Sequence, residues 1–419
     1  MIGLLIVIII LLTLVGMPLF IALAGGSLLA TWNAGLDPAL LAVELNRLAS
    51  SPYLAAIPLF TFAGVVLAAG GAPQRMIQLF NAMVGWLPGG MAAVALGSCA
   101  FFTAFSGASG VTILALGGLM FPMLLHAGYG ERFNLGLLTT SGSLGLLFPP
   151  SLAILLYGIV SGVSIDELFL AGIVPGTLLM VILGIYCMYN GSRTRVPRHH
   201  FSMSLLITAL REGFWDLLLP VFIIIGIFGG YVTISEAAAC TALYVLILEG
   251  IIHREVHLVR HLPALMQDAA VLIGSILIIL SVAMGLTNLL IDAQLPMKLL
   301  AWIEQHIDSE LQFLILLNIF LLVVGCMMDI FSATVVVVPL ILPIAANYGI
   351  HPVHLGIIFL ANLEIGYSTP PVGINLFIAS QRFQRPVLAL FRAALPFLFI
   401  MLLWLGLVTY VPWFTLWWQ

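Results

Sequence analysis

Charge is what this sequence has least of. Only 7% of its 419 residues are charged and 62% are hydrophobic, whereas a soluble domain carries about 25% charged residues. That shortage excludes an ordinary soluble globule and leaves a polytopic membrane protein with very little soluble mass. The net charge is only −4. No basic stripe or aromatic-basic module occurs, so nucleic acid is not an expected partner. No P-loop occurs either, so ATP is not the expected energy source. Cys99, Cys187, Cys240 and Cys326 are far apart and lie in apolar runs. With no CxxC or Cys/His spacing, they read as small buried hydrophobes rather than a zinc site or redox pair. The N-terminal run MIGLLIVIIILLTLVGMPLFIALAGG lacks a basic n-region. Its apolar stretch exceeds the roughly 7–15 residues of a signal-peptide core, so it reads as a retained first span.

What is present is a membrane segment that breaks itself. Asn134 to Gly158 reads NLGLLTTSGSLGLLFPPSLAILLYG. Proline removes a backbone donor and glycine weakens helix, by about 3 and 1 kcal/mol relative to alanine. Backbone freed at membrane depth must be buried in protein or line a wet cavity. The stretch recurs at His354 to Ala379, HLGIIFLANLEIGYSTPPVGINLFIA. Pro149-Pro150 match Pro370-Pro371 at a shift of 221 (370 − 149), and Gly145 matches Gly366. Pro122 and Gly128 match Pro343 and Gly349 at the same shift. Two broken apolar segments in corresponding halves are the sequence pointer to a transporter binding site.

The remaining segments fall around these breaks. Spans are expected at 3–30 and 52–72, separated by an exposed loop at 31–51, with an amphipathic interfacial helix from Pro73 to Pro88. Gly90 to His126 is apolar but interrupted at Ser106–Gly110, leaving arms of about 15 residues, short for a 30 Å core; a re-entrant hairpin is expected. Leu311 to Asn347 repeats this, with its break near Met328–Ser332. Further spans are expected at 167–189, 213–232, 235–252 and 269–291, with an interfacial segment at 294–308 and a last span ending in Trp413, Trp417 and Trp418. Basic loops at 191–212, 254–261 and 382–392 fall on one side of the membrane if each pair is separated by two full spans. The first hairpin then opens from the cytoplasm and the second from the opposite side, so the repeats are inverted.

Asp329 and Glu364 are the acids of the central apolar regions, where an acid is costly unless solvated or paired. Asp329 reads as a cation ligand or as a helix cap at the hairpin tip, roles that are compatible. Glu364 reads as a coupling or proton-carrying group, or as one that pairs locally or faces water. Ser106, Gly107, Ser109, Thr112, Ser141, Ser143 and Ser151 cluster at the first break; Ser332, Thr334, Asn362, Ser368, Thr369 and Asn375 cluster at the second. Single hydroxyls in membrane helices are ordinarily packing or back-bonded groups. Beside glycine and proline breaks, freed carbonyls suit Na⁺ and helix N-termini suit an anion. Gly107–Gly110 also matches GxSG, a motif of intramembrane serine proteases. A serine nucleophile needs a base within reach, and seven of the nine histidines, including His351 and His354, lie in or beside polar loops. An aspartyl protease would need a second acid paired with Asp329.

The sequences AFSGASGVTILALGGLMFP, SGSLGLLFPPSLAILLYG with SIDELFLAGIVPG, and MDIFSATVVVVPLILPIA with NLEIGYSTPPVGINLF resemble the large membrane subunit (DctM type) of tripartite ATP-independent periplasmic (TRAP) transporters, over nearly the whole chain. The resemblance implies no enzyme but an all-α inner-membrane elevator of the ion-transporter superfamily. It implies Na⁺-driven import of an organic acid, commonly a dicarboxylate or sialic acid, with no organic cofactor. The implied partners are a separate small four-helix subunit (DctQ type) and a periplasmic substrate-binding protein (DctP type). Residues 1–89, 161–308 and 381–419 would form the scaffold with its two amphipathic arms; 90–160 and 309–380 would form the transport domain. Carried over by motif, one cation site uses Ser106, Gly107 and Ser109 with Gly145 and Pro149. The other uses Asp329 with Gly366, Thr369 and Gly373. Substrate would lie near Ser106, Ser151, Asp329 and Asn375. The first tip reads SGASGV where many members have SGSSVA, a change backbone contacts would survive. A stand-alone ion-coupled anion exchanger of the same superfamily is the other transporter reading.

Overall fold

A computed structural model describes residues 19–35, 53–194, 201–257, 259–292 and 309–419, with isolated positions between them. Residues 3–16 and 18 of the expected first span, most of the loop at 31–51, Arg195, Arg198 and most of the segment at 294–308 lie outside the described residues. Among the described residues every regular element is helical: α1 (Leu19–Ala34), α2 (Ala56–Ala69), α3 (Ala72–Val84), α4 (Gly90–Ser106), α5 (Ser109–His126), α6 (Glu131–Ser141), α7 (Leu152–Ser161), α8 (Ile165–Arg193), α9 (Met203–Glu212), α10 (Phe214–Phe228), α11 (Ile234–Ile247), α12 (Leu262–Asp292), α13 (Glu310–Met327), α14 (Ile330–Asn347), α15 (Pro352–Gly366), α16 (Ile374–Phe383) and α17 (Val387–Tyr410). Seven of them are long and apolar enough to cross a membrane. Large aliphatic and aromatic side chains such as Val271, Ile319 and Phe399 stand exposed on the outer faces, as helices bathed in lipid require.

The helix boundaries carry the repeat seen in the sequence. α5 and α14 are offset by 221 at both ends (330 − 109 and 347 − 126), and α6 and α15 begin 221 apart (352 − 131). Each hairpin packs in the same swapped way. The first arm lies against the broken helix of its own half, α4 with α6 and α13 with α15; the second arm lies against the far piece of the other half's broken helix, α5 with α16 and α14 with α7. The two breaks and two hairpins therefore form one interlocked body.

Helix α8, 29 residues long, gives an internal ruler of about 43 Å. At its C-terminal end a Cβ on Gly89, where the first hairpin begins, would meet Cys187 O at 2.4 Å, and one on Gly191 would meet Tyr129 Oη at 3.2 Å. At its N-terminal end Leu168 lies against Gly356, and Tyr157 donates to Pro352 O at 2.9 Å, just after the second hairpin closes. The hairpins thus open toward opposite ends of the molecule. Two of the basic segments are tied to neighbouring helices by ion pairs. Arg385 pairs with Glu131 at 2.7 Å beside Tyr129, and the segment after α11 is tied to α3 through Arg75 and Glu255 at 3.0 Å.

Several boundaries differ from expectation. The hairpin arms have 17 or 18 residues, about 27 Å rather than the shorter arms expected, because the helices run unbroken to within two residues of each tip. The basic loop at 191–212 is helical at both ends: α8 runs to Arg193, and Ser202 caps α9 by accepting from Leu205 N. Arg382 and Arg392 sit inside α16 and α17, not in a loop. The helix pair α2–α3 bends by 75°, so the amphipathic α3 turns sharply away from the axis of α2. Three cysteines are buried as expected, whereas Cys240 is exposed on α11. His354 is not a loop residue: it is buried, with Nδ1 2.6 Å from Thr415 Oγ1 and Nε2 3.2 Å from Thr409 O.

Candidate functional site

At the first break, α6 ends at Ser141 and the chain passes through a 3₁₀ turn, Leu144–Leu147, and the Pro149-Pro150 pair before α7 begins. The two pieces meet at 46°. The hairpin tip closes on this break. Gly107 holds φ +62°, a left-handed turn that glycine adopts without a Cβ clash. A Cβ there would strike Leu152 at the start of α7. One side chain the sequence did not single out ties the pieces together. Thr103 Oγ1 lies 2.8 Å from Gly142 O, 2.8 Å from Thr112 Oγ1 and 2.8 Å from Cys99 O. Its position just before the tip was the available signal. Gly145 is required by close approach, since a Cβ would stand 2.2 Å from Ala100 O. Ser106 and Ser109 are buried at the tip, and Ser151, also buried, has a hydroxyl with no hydrogen-bond partner.

The second break is built differently from the same plan. Asp329 is the N-cap of α14: Oδ1 accepts from Phe331 N and Ser332 N, both at 3.0 Å, and Oδ2 accepts from Ser332 Oγ at 2.5 Å. The cap reading of Asp329 is therefore visible in the structure. Tyr367 Oη accepts from Ile330 N at 2.5 Å, and Tyr367 O accepts from Asn375 N at 3.0 Å. Cys326 O accepts from both Val372 N (3.2 Å) and Gly373 N (3.0 Å). Hairpin, break and α16 are thus laced together by backbone groups that a regular helix would have used internally. A Cβ on Gly366 would lie 2.4 Å from Gly325 C, so the break and the hairpin touch backbone to backbone. Thr369 Oγ1 bonds back to Ile365 O at 3.0 Å, and Thr334 to Ile330 O at 2.5 Å. Asn362 Nδ2 reaches Asn318 Oδ1 at 2.7 Å. Asn375 is fully buried with neither its Oδ1 nor its Nδ2 bonded, and Ser368 Oγ is likewise unpartnered.

The structure brings Ser106, Gly107, Ser109 and Gly145 into one cluster and Asp329, Gly366, Gly373 and Asn375 into another. Unpartnered hydroxyl and amide groups inside a closed core are rare in native proteins. Among those found in this protein, Ser151 stands at the start of α7 and Asn375 at the start of α16, one beside each helix break. That chemistry suits an uncharged lining for an anion and oxygen ligation for a hard cation. It does not suit hydrolysis: among the described residues no histidine is hydrogen-bonded to Ser106 or Ser109.

An all-helical chain with apolar spans and two interlocked broken helices is a polytopic membrane permease. The sequence agrees. Residues 6–414 match the family described as "Tripartite ATP-independent periplasmic transporter, DctM component", and the chain belongs to that family. It is 36% identical to the C4-dicarboxylate TRAP transporter large permease protein DctM of Pseudomonas aeruginosa over 89% of this chain and 87% of the relative. It is 31% identical to the ectoine TRAP transporter large permease protein TeaC of Halomonas elongata, over 96% and 95%. Its fold resembles the crystal structure of the Alcanivorax borkumensis YdaH transporter with a TM-score of 0.62, covering 90% of this chain and 88% of that one at 15% identity. The chain is thus a transport permease and not an enzyme, multi-pass in the inner membrane, and one component of a tripartite system.

Proposed function

We propose that this permease imports a small organic anion, driven by Na⁺, through an elevator movement of the interlocked body α4–α7 plus α13–α16 (within 90–160 and 309–380) against the remaining helices. The observation that carries the reading is the pair of helix breaks, each closed by a hairpin tip and each beside an unpartnered buried polar side chain, Ser151 and Asn375. Substrate sits between the tips near Ser106, Ser151, Asp329 and Asn375. Two cations sit one at each break: Ser106, Gly107 and Ser109 with Gly145 and Pro149, and Asp329 with Gly366, Thr369 and Gly373. Carbonyl oxygens at glycines favour a hard cation, because each can turn toward it without a side chain intervening. No arginine lies in either break, so the anion is held by helix N-termini and by hydroxyl and amide groups. The name of the Pseudomonas relative favours a C4-dicarboxylate, while that of the Halomonas relative keeps other small solutes in view. A small DctQ-type subunit covers the scaffold, and a DctP-type periplasmic protein delivers substrate. The basic segments face the cytoplasm.

The test is succinate uptake into vesicles holding this chain, its small subunit and its binding protein. Uptake should require an inward Na⁺ gradient and the binding protein, and should stop when a disulfide joins the α4–α5 hairpin to α3. Uptake without the binding protein would favour a stand-alone exchanger, and uptake unaffected by the cross-link would overturn the elevator.

A further inference from the structure

Thr61 lies in the middle of α2, one of the helices outside the interlocked body. It is fully buried, and its hydroxyl has no hydrogen-bond partner. A hydroxyl at membrane depth ordinarily bonds back to a carbonyl one turn earlier in its own helix. Thr31, Thr103, Thr139, Thr334 and Thr369 all do so here. Thr61 does not, and a buried hydroxyl left unbonded is costly. Packing alone gives no reason for threonine at this place, since valine has nearly the same shape and no polar atom.

The surroundings of α2 show what this hydroxyl faces. A Cβ on Gly64 would stand 2.6 Å from both Phe105 O and Ser106 Cα, so α2 passes the first hairpin tip backbone to backbone. Positions three apart share one face of a helix, which puts Thr61 on the side that meets the tip. Its level follows from the two ends of α2. Beyond Gly64 the chain bends into α3, where Phe80 packs on Gly97 of α4, back along the hairpin arm. Before Gly64 it runs the other way: Leu54 joins the apolar cluster of Leu156 on α7 and Val335 on α14, an arm of the second hairpin. Thr61 thus stands about 4.5 Å past the first tip, in the direction of the second. Helix α7 starts at the same tip, where a Cβ on Gly107 would strike Leu152, and α2 packs against α7. Ser106, Ser151 and Thr61 are therefore all buried around the first tip, and the hydroxyls of Ser151 and Thr61 are both unpartnered.

We propose that Thr61 is a substrate-binding residue supplied by the fixed helices: its hydroxyl donates to a carboxylate oxygen of the anion held beside Ser106 and Ser151. The assignment rests on the substrate reading of those two serines, and it extends the site from the interlocked body to α2. A neutral donor suits a site whose breaks contain no arginine. Because α2 lies outside the moving body, the contact exists in this position of the body and is given up in the other. Thr61 therefore holds the anion on one side of the membrane only.

Succinate uptake by the permease, with its small subunit and binding protein in vesicles, tests this. Thr61→Val should raise the KM for succinate roughly tenfold, the loss of one hydrogen bond to a charged group. It should not lower the thermal unfolding temperature, because the hydroxyl it removes bonds nothing in the folded protein. Thr61→Ser should keep a KM near the native value. Thr241→Val, which removes another buried unpartnered hydroxyl, on α11, should leave KM unchanged. A native KM in Thr61→Val, or an equal loss in Thr61→Val and Thr61→Ser, would overturn the proposal. A second measurement needs neither the valine variant nor a known substrate. Thr61→Cys, with the exposed Cys240 replaced by serine, should react with a small water-soluble methanethiosulfonate as the tips open. No reaction under any condition would overturn the placement of Thr61 in the site. If the native protein takes up no succinate, the substrate class is wrong, while the thiol labelling still decides whether position 61 lines the site.

Discussion

The backbone N–H of Ile330 donates to the hydroxyl of Tyr367 at 2.5 Å, so the first residue of a hairpin helix is held by the residue that follows a broken one. Gly366 stands beside it, backbone against the backbone of Gly325. Hairpin tip and break are one mechanical unit at this point. Replacing Tyr367 with phenylalanine keeps the ring and leaves a buried N–H without its acceptor, at a cost of about 1–3 kcal/mol. Thermal unfolding of the detergent-solubilised protein should fall, and the sodium concentration for half-maximal uptake should rise. An unchanged activation curve would detach the tip from the cation site.

Asp329 caps α14 with three hydrogen bonds. Loss of such a cap costs about 0.5–2 kcal/mol. Asp329→Asn keeps an acceptor but removes the charge, so it separates the two roles. Asp329→Ala should lower both stability and sodium dependence, whereas Asp329→Asn should retain most stability and lose sodium affinity. If both variants follow the native sodium curve, Asp329 is a cap and nothing more.

The glycines at the breaks make a steric prediction. A Cβ on Gly145 would fall 2.2 Å from Ala100 O, and one on Gly366 would fall 2.4 Å from Gly325 C. Backbone atoms in packed helices cannot yield by an ångström without moving a whole element. Gly145→Ala and Gly366→Ala should each abolish uptake, while Gly184→Ala, with open space around its Cβ position, should leave uptake near the native level. Uptake measured in matched vesicles at equal protein density decides the matter.

Arg75 on α3 binds Asp216 through Nε (2.7 Å) and Nη2 (3.0 Å), Glu255 through Nη1 (3.0 Å) and Glu249 through Nη2. One buried cation thus fixes the arm to α10, to the helical turn Leu248–Ile252 that follows α11 and to the segment beyond it. Removing one partner of a buried pair costs about 3–5 kcal/mol, because the remaining charges are left without compensation. Glu255 is partly exposed and adds little to that figure. Arg75→Ala should lower the unfolding temperature clearly, with Arg75→Lys in between because it lacks the fork that holds both oxygens of Asp216. Size-exclusion chromatography and a thermal scan in detergent would show whether the arm has come loose.

Much of the candidate site could be read along the chain. The breaks at Gly145–Ser151 and Gly366–Asn375 announce themselves because glycine and proline are conspicuous in apolar runs, and the constant shift of 221 pairs them. The opposed hairpins followed from the placement of arginines among the spans, and the packing at the two ends of α8 shows the same opposition. The Arg75 cluster was not legible. Its partners lie 141, 174 and 180 residues away in sequence, and a lone arginine in an amphipathic helix looks like an interfacial side chain. Thr103 and Tyr367 were missed for a related reason: each acts through a contact to another element, and neither residue type is unusual where it stands. His354 misled in the opposite sense, since a polar neighbourhood in sequence became a buried pocket once the end of α17 folded over it.

The sequence by itself determined that this is an all-helical membrane protein made of two halves, because hydrophobicity and helix-breaking residues are local properties that survive without knowledge of contacts. Only the tertiary structure decided how Asn134–Gly158 and His354–Ala379 are used. It interlocked α5 with α16 and α7 with α14, committed Asp329 to a cap, and left Glu364, Ser151 and Asn375 buried without partners. Those outcomes depend on which helix comes to face which. That is fixed by packing between segments 169 residues or more apart (330 − 161 for α7 and α14), and no stretch of the chain records it alone.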